Sequence, residues 1–166
     1  SMRSKLVAFG VGAIVSSVIG VAAVSHAITD VRTSGFSCQV VNGSQAVNLV
    51  GAGNGSPAAL LNVACPVPDV YNGIQDISVV QVQLEDRSNT AGVSASRCVN
   101  LVAANGQVGT SCGPSSASPA AHVGHVVLNP APNAAWAPAN FGYVSVFLPP
   151  RTDQFGRSTV QGIHAF

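Results

Sequence analysis

Charge is what this chain has least of. Asp, Glu, Lys and Arg make up only 8% of its 166 residues, against about 25% in an ordinary soluble domain. No basic run or stripe occurs, which excludes the electrostatic footprint of a nucleic-acid-binding protein. Lysine is absent after Lys5, and aromatic residues reach only 5%, with Trp136 the single tryptophan. Several chemical signatures are missing as well. There is no Cys-x-x-Cys pair, so zinc ligation is a weak reading of the cysteines. There is no Gly-x-Ser-x-Gly elbow and no His-Glu-x-x-His. The glycine-rich stretch Gly51 to Pro57, GAGNGSP, matches neither the dinucleotide nor the P-loop pattern, and no Lys-Ser/Thr follows it. It reads as a flexible loop. No cofactor is implied.

What is present is small, apolar and often interrupted. Hydrophobic residues reach 47%, and seventeen Gly and ten Pro break the chain. That composition suits short strands and turns rather than long helices. Residues 1–27 differ from the rest. Arg3 and Lys5 precede an apolar run from Leu6 to Val24, and Ser25-His26-Ala27 puts small residues at −3 and −1 of a cleavage site before Ile28. This is the layout of a secretory signal peptide, expected to be helical. The competing reading is an uncleaved membrane anchor, since the run is long enough to span a bilayer. The net charge of +1 contains the leader's Arg3 and Lys5. Without them five Arg stand against six Asp plus Glu, a net −1. The expected destination is the periplasm, the cell surface or the medium.

The clearest strand is Ser78 to Asp86. Val80, Val82 and Leu84 alternate with Gln81, Gln83 and Glu85, the pattern of one dry and one wet face. Export makes Cys38, Cys65, Cys98 and Cys112 disulfide partners. Arg97 to Ala103 and Gln107 to Cys112 flank Ala104-Asn105-Gly106, a strong hairpin signal. With a three-residue loop and Gly106 in the left-handed position, Ala103 faces Gln107, and counting back sets Cys98 opposite Cys112. The same count makes them a non-hydrogen-bonded pair, where side chains approach most closely. Cys38–Cys65 is then the second bond, and each stabilises by roughly 2–4 kcal/mol. Further strands are expected at Phe36 to Val41, Ala46 to Val50, Ala59 to Cys65, His122 to Leu128, Phe141 to Leu148 and Ser158 to Phe166. Residues 28–166 thus read as one all-β domain of about eight strands, an antiparallel β-sandwich with two disulfides.

These marks resemble a family of small uncharacterised secreted bacterial proteins. The matching features are a strand into Cys65-Pro66, an alternating strand into Asp86-Arg87, a strand with central Cys98, a strand into Leu148-Pro149-Pro150, and a last strand opening at Ser158. They span most of residues 36–166. One departure is that the strand before Leu-Pro-Pro often carries a Cys in that family, whereas Tyr143 to Leu148 has none. The resemblance implies an exported β-domain and no activity.

Candidate chemistry is sparse. His122 and His125 form a His-x-x-His, but residues three apart on a strand point to opposite faces and do not chelate together. Asp69, Asn72 and Asp76 offer oxygens of the kind Ca²⁺ takes, yet turn-forming Asp and Asn explain them equally, and no metal is assigned. His164 could pair with a distant Asp as a base and its orienter, but any sequence with three mature histidines permits that, and no catalytic residue is assigned. Asn42 and Asn54 head N-x-Ser sequons. Trp136, in the Pro-rich loop Asn129 to Asn140, lies near Phe141 and Tyr143. These three are the candidate ligand-binding residues, because loops on a rigid scaffold carry recognition and an exposed aromatic stacks on a sugar ring or a partner's apolar surface. The reading is an exported, non-enzymatic extracytoplasmic domain that binds a surface glycan or protein. It touches the membrane only through the leader if that is uncleaved, and its oligomeric state is open. The alternatives are a secreted hydrolase with a site assembled from distant residues, and a secreted inhibitor or effector.

Overall fold

The computed structural model describes residues 31–43, 45–48, 51–67, 79–102, 105–132, 141–151 and 156–166. The leader, Asp69, Asn72, Asp76 and Trp136 lie outside these residues. Among them are twelve strands, in two six-stranded antiparallel sheets that share one core. The strands are β1 Val31–Ser34, β2 Gln39–Asn42, β3 Gln45–Asn48, β4 Gly51–Asn54, β5 Leu61–Pro66, β6 Val80–Asp86, β7 Ser94–Val102, β8 Val108–Cys112, β9 Ser116–Ala117, β10 Gly124–Leu128, β11 Phe141–Leu148 and β12 Thr159–Ala165. The expected all-β architecture is present, with more strands than expected because several are only two to four residues long.

The first sheet runs β10-β6-β12-β4-β3. The β6 strand buries Val80, Val82 and Leu84 and keeps Gln81, Gln83 and Glu85 on the other face, as its alternation requires. On its far edge β12 pairs first with β4 at Thr159 and Val160, then with β1 from Gly162 to Ala165. The second sheet runs β2-β5-β11-β7-β8, and β9 pairs with the start of β7. Leu61, Val63, Cys65, Val144, Val146 and Leu148 of this sheet meet Val80, Val82, Leu84, Val160 and Ile163 of the other.

The hairpin has the register counted from sequence. Cys98 faces Cys112, and Gly106 has φ 79°. Gly113 N donates to Arg97 O at 2.9 Å, which makes the neighbouring Cys98/Cys112 pair a non-hydrogen-bonded one. Both disulfides are formed, Cys98–Cys112 and Cys38–Cys65. The former joins β7 and β8 on the outer face of the second sheet, and the latter ties the residue just before β2 to β5 against the core.

Two expectations are corrected. Residues 35–37 form a 3₁₀ turn rather than strand, with Ser34 Oγ accepting from Phe36 N. Gly51 to Pro57 is not a flexible loop, because Gly51–Asn54 is a buried strand. The reason is steric. A Cβ on Gly35 or Gly51 would collide with the Val160 carbonyl, just before the irregularity in β12 between Val160 and Gly162. Only glycine lets these backbones approach so closely.

Candidate functional site

Two side-chain knots hold the ends of the sandwich. Asp86 is fully buried at the end of β6. Its Oδ1 accepts from Ser88 N at 3.0 Å and Ser158 Oγ at 3.3 Å. Its Oδ2 accepts from Ser118 Oγ at 2.6 Å and Val93 N at 3.3 Å. Ser158 Oγ also accepts from Arg87 N, and Ser118 Oγ from Val93 N. One carboxyl thus ties β6, the β6–β7 turn, the segment after β9 and the start of β12. Serines beside an acid can resemble catalytic machinery, but this set is buried, and the four bonds occupy both carboxyl oxygens.

The second knot is Asn54, also fully buried. Its Nδ2 lies 2.8–3.0 Å from the carbonyl oxygens of Ala59, Leu148 and Pro149, which share its two hydrogens. Its Oδ1 accepts from Ser56 N. This amide joins the end of a first-sheet strand to the end of β11 in the second sheet. A sequon nitrogen in that position is unavailable to a glycosylating enzyme once the domain is folded.

Arg97 is a further buried polar residue that the sequence reading passed over. It lies on β7 with its Cα opposite Val144 and is 1% exposed. Burial pushes its guanidinium below the ordinary arginine value. Its place in the alternation with Ala95 and Val99 was the available signal.

The outer face of the second sheet carries a cleft of about 520 Å³. Val41, Ala64, Pro66, Val67, Gly142 and Tyr143 give it an apolar lining, and Gln39 and Asn100 supply amides. Register explains how these meet. Pro66, Tyr143, Cys98 and Cys112 form one row across four strands, and Ala64, Ser145 and Ser96 form the next. The second row is all small side chains, so the larger groups of the first stand above it. The Cys98–Cys112 bond braces the row that holds Tyr143. Asn100 Oδ1 accepts from Thr110 Oγ1 at 3.1 Å, leaving its amide hydrogens for another partner. Phe141, two residues before Tyr143, has its Cα opposite Asn100.

The histidines are separate from this cleft. His122 Nε2 lies 3.3 Å from His125 O, and His125 is paired with Glu85 across β10 and β6. Its ring thus engages the backbone of the second histidine, not a shared ligand. His164 lies on β12 with its ring 4.8 Å from that of Phe166. No group of three or more His, Cys, Asp or Glu able to hold a metal is found among the described residues.

Comparison with protein-family models, with curated proteins and with solved structures found no match.

Proposed function

We propose that this protein is an exported, non-enzymatic binding domain whose recognition surface is the Tyr143 cleft. Two disulfides support the extracytoplasmic part of the reading, since such bonds persist in oxidising compartments. The observation that carries the binding part is the cleft itself. A phenol and apolar side chains on a braced sheet, with two amides at hand, suit one apolar group flanked by hydrogen-bonding groups. The CH face of a sugar ring and an apolar side chain of a protein partner both have that chemistry.

The test is capture from envelope and medium fractions by the immobilised, oxidised protein, with Tyr143→Ala and Trp136→Ala alongside. Glycosidase and protease treatment of the captured material separates the two sources. A partner lost with Tyr143→Ala supports the cleft. A partner lost only with Trp136→Ala moves recognition to the Asn129–Asn140 loop. A partner kept by both variants, or none at all, sinks this assignment.

A further inference from the structure

Among the described residues β8 is an edge of the second sheet, paired with β7 on one side only. Gly113 N donates to Arg97 O, and the neighbouring Cys98/Cys112 pair is non-hydrogen-bonded. Antiparallel alternation then turns the backbone groups of Gly109 and Ser111 toward Leu101 and Val99 of β7. Those of Val108, Thr110 and Cys112 point the other way, where no described strand pairs with β8. All three residues are exposed, Val108 at 69%. Such a row of outward N–H and C=O groups is a template for another strand.

The row is complementary to itself. Thr110 is its midpoint. An antiparallel copy of β8 centred there sets Thr110 opposite Thr110 of the copy, and Val108 opposite its Cys112. These three are hydrogen-bonded pairs, because both members present their backbone groups outward, and two bonds in each satisfy the whole row on both strands. Centring on Gly109 or Ser111 instead would set one of the three opposite Gly106 or Pro114, outside the strand. The side chains agree with this register. Val108, Thr110 and Cys112 share the outer face, so Val108 covers the Cys98–Cys112 bond of the copy, and the threonines meet at the axis as a favourable cross-strand pair.

Nothing along the strand blunts the edge. No Asp, Glu, Lys or Arg occurs from Cys98 to Pro150, and β8 has a continuous register without proline. Other edges are protected. A register shift between Val40 and Asn42 interrupts β2, and the His122 ring lies 3.3 Å from His125 O on β10.

We infer that the protein forms a two-fold dimer through its β8 edges, which joins two copies of the second sheet into one continuous antiparallel sheet. The axis stands perpendicular to that sheet, so both Tyr143 clefts open on the same side. The pairing is closed, because each copy uses its one β8 edge.

Sedimentation equilibrium of the whole oxidised protein over a concentration series tests this, together with amide hydrogen exchange followed residue by residue by NMR. The mass is expected to rise from monomer to dimer and stop there. The amides of Val108, Thr110 and Cys112 should gain protection as the dimer forms, while those of Gly109 and Ser111 are protected throughout. Thr110→Lys and Thr110→Asp each place like charges at the axis and should weaken the dimer at least about fivefold. Their mixture should associate more tightly than either alone. Tyr143→Ala should leave the dimer unchanged, which keeps this surface apart from the cleft. A protein still monomeric at about 1 mM overturns the inference and leaves the edge to a strand of another protein. So does a dimer in which the three amides exchange at the monomer rate, a Thr110→Lys protein that dimerises as tightly as the wild type, a mixture no tighter than its parts, or loss of the dimer in Tyr143→Ala.

Discussion

Asp86 gives the sharpest test of how this sandwich is held. Replacing it with Asn keeps its size but turns one acceptor into a donor. At Oδ1 the new NH₂ would face Ser88 N–H. At Oδ2 it would face Val93 N–H, which retains Ser118 Oγ as a second acceptor. The second arrangement is less harmful, since the Ser118 hydroxyl can turn and accept. What is lost is the charged character of the 2.6 Å bond and its neighbours, about 1.5–3 kcal/mol. Alanine is worse. It leaves Ser88 N–H without its acceptor, loosens both serines and opens a small void, at about 3–5 kcal/mol. A domain of this size loses about 3–5 °C of Tm per kcal/mol. Differential scanning calorimetry should therefore show drops of about 5–15 °C for Asp86→Asn and about 10–25 °C for Asp86→Ala. Ser118→Ala should cost about 1 kcal/mol less in the Asp86→Ala background than alone, because the pair is directly bonded. Drops under about 3 °C in both variants, or strict additivity with Ser118→Ala, would refute the knot.

Other positions give independent checks. Peptide mapping without reduction should recover Cys38–Cys65 and Cys98–Cys112. Removing the first should cost roughly half a kcal/mol more than removing the second by loop length alone, as its sequence separation is 27 against 14, and denaturant melts of the paired Cys→Ala variants measure the difference. Asn54→Asp should destabilise by about 3 kcal/mol or more, because a carboxylate would face three carbonyl oxygens; urea unfolding reads this directly. Gly51→Ala should destabilise by at least about 2 kcal/mol in urea unfolding, since the Val160 backbone would have to move, whereas Gly109→Ala, with open space at its Cβ, should be nearly silent.

Local pattern determined a definite part of this protein. The alternation in β6 set its wet and dry faces, because a strand's side chains alternate whatever its neighbours are. The Asn105-Gly106 turn, once taken as part of a three-residue loop, led to the β7–β8 register and, through it, to the Cys98–Cys112 pair, because a hairpin loop of given length allows one register; a two-residue loop would have missed it by one. Charge scarcity and the missing motifs narrowed the chemistry. Tertiary structure decided the rest. Gly51–Asn54 looks like a loop in sequence, since glycine has poor strand propensity, and it is a strand only because Val160 requires a neighbour without a Cβ. Asp86, Asn54 and Arg97 look like surface residues by type. The first two are buried because groups distant in sequence saturate them, and Arg97 because β7 turns it toward the core. Tyr143 was legible as a candidate for recognition, but not the cleft around it, which exists because β2, β5, β11 and β7 align Gln39, Pro66 and Asn100 beside it. Nor could the pairing of Arg32 with His164 be read, since it forms only when β1 and β12, at opposite ends of the domain, become neighbours. Contacts between residues so far apart leave no periodicity in the chain, and only the folded sheets bring them together.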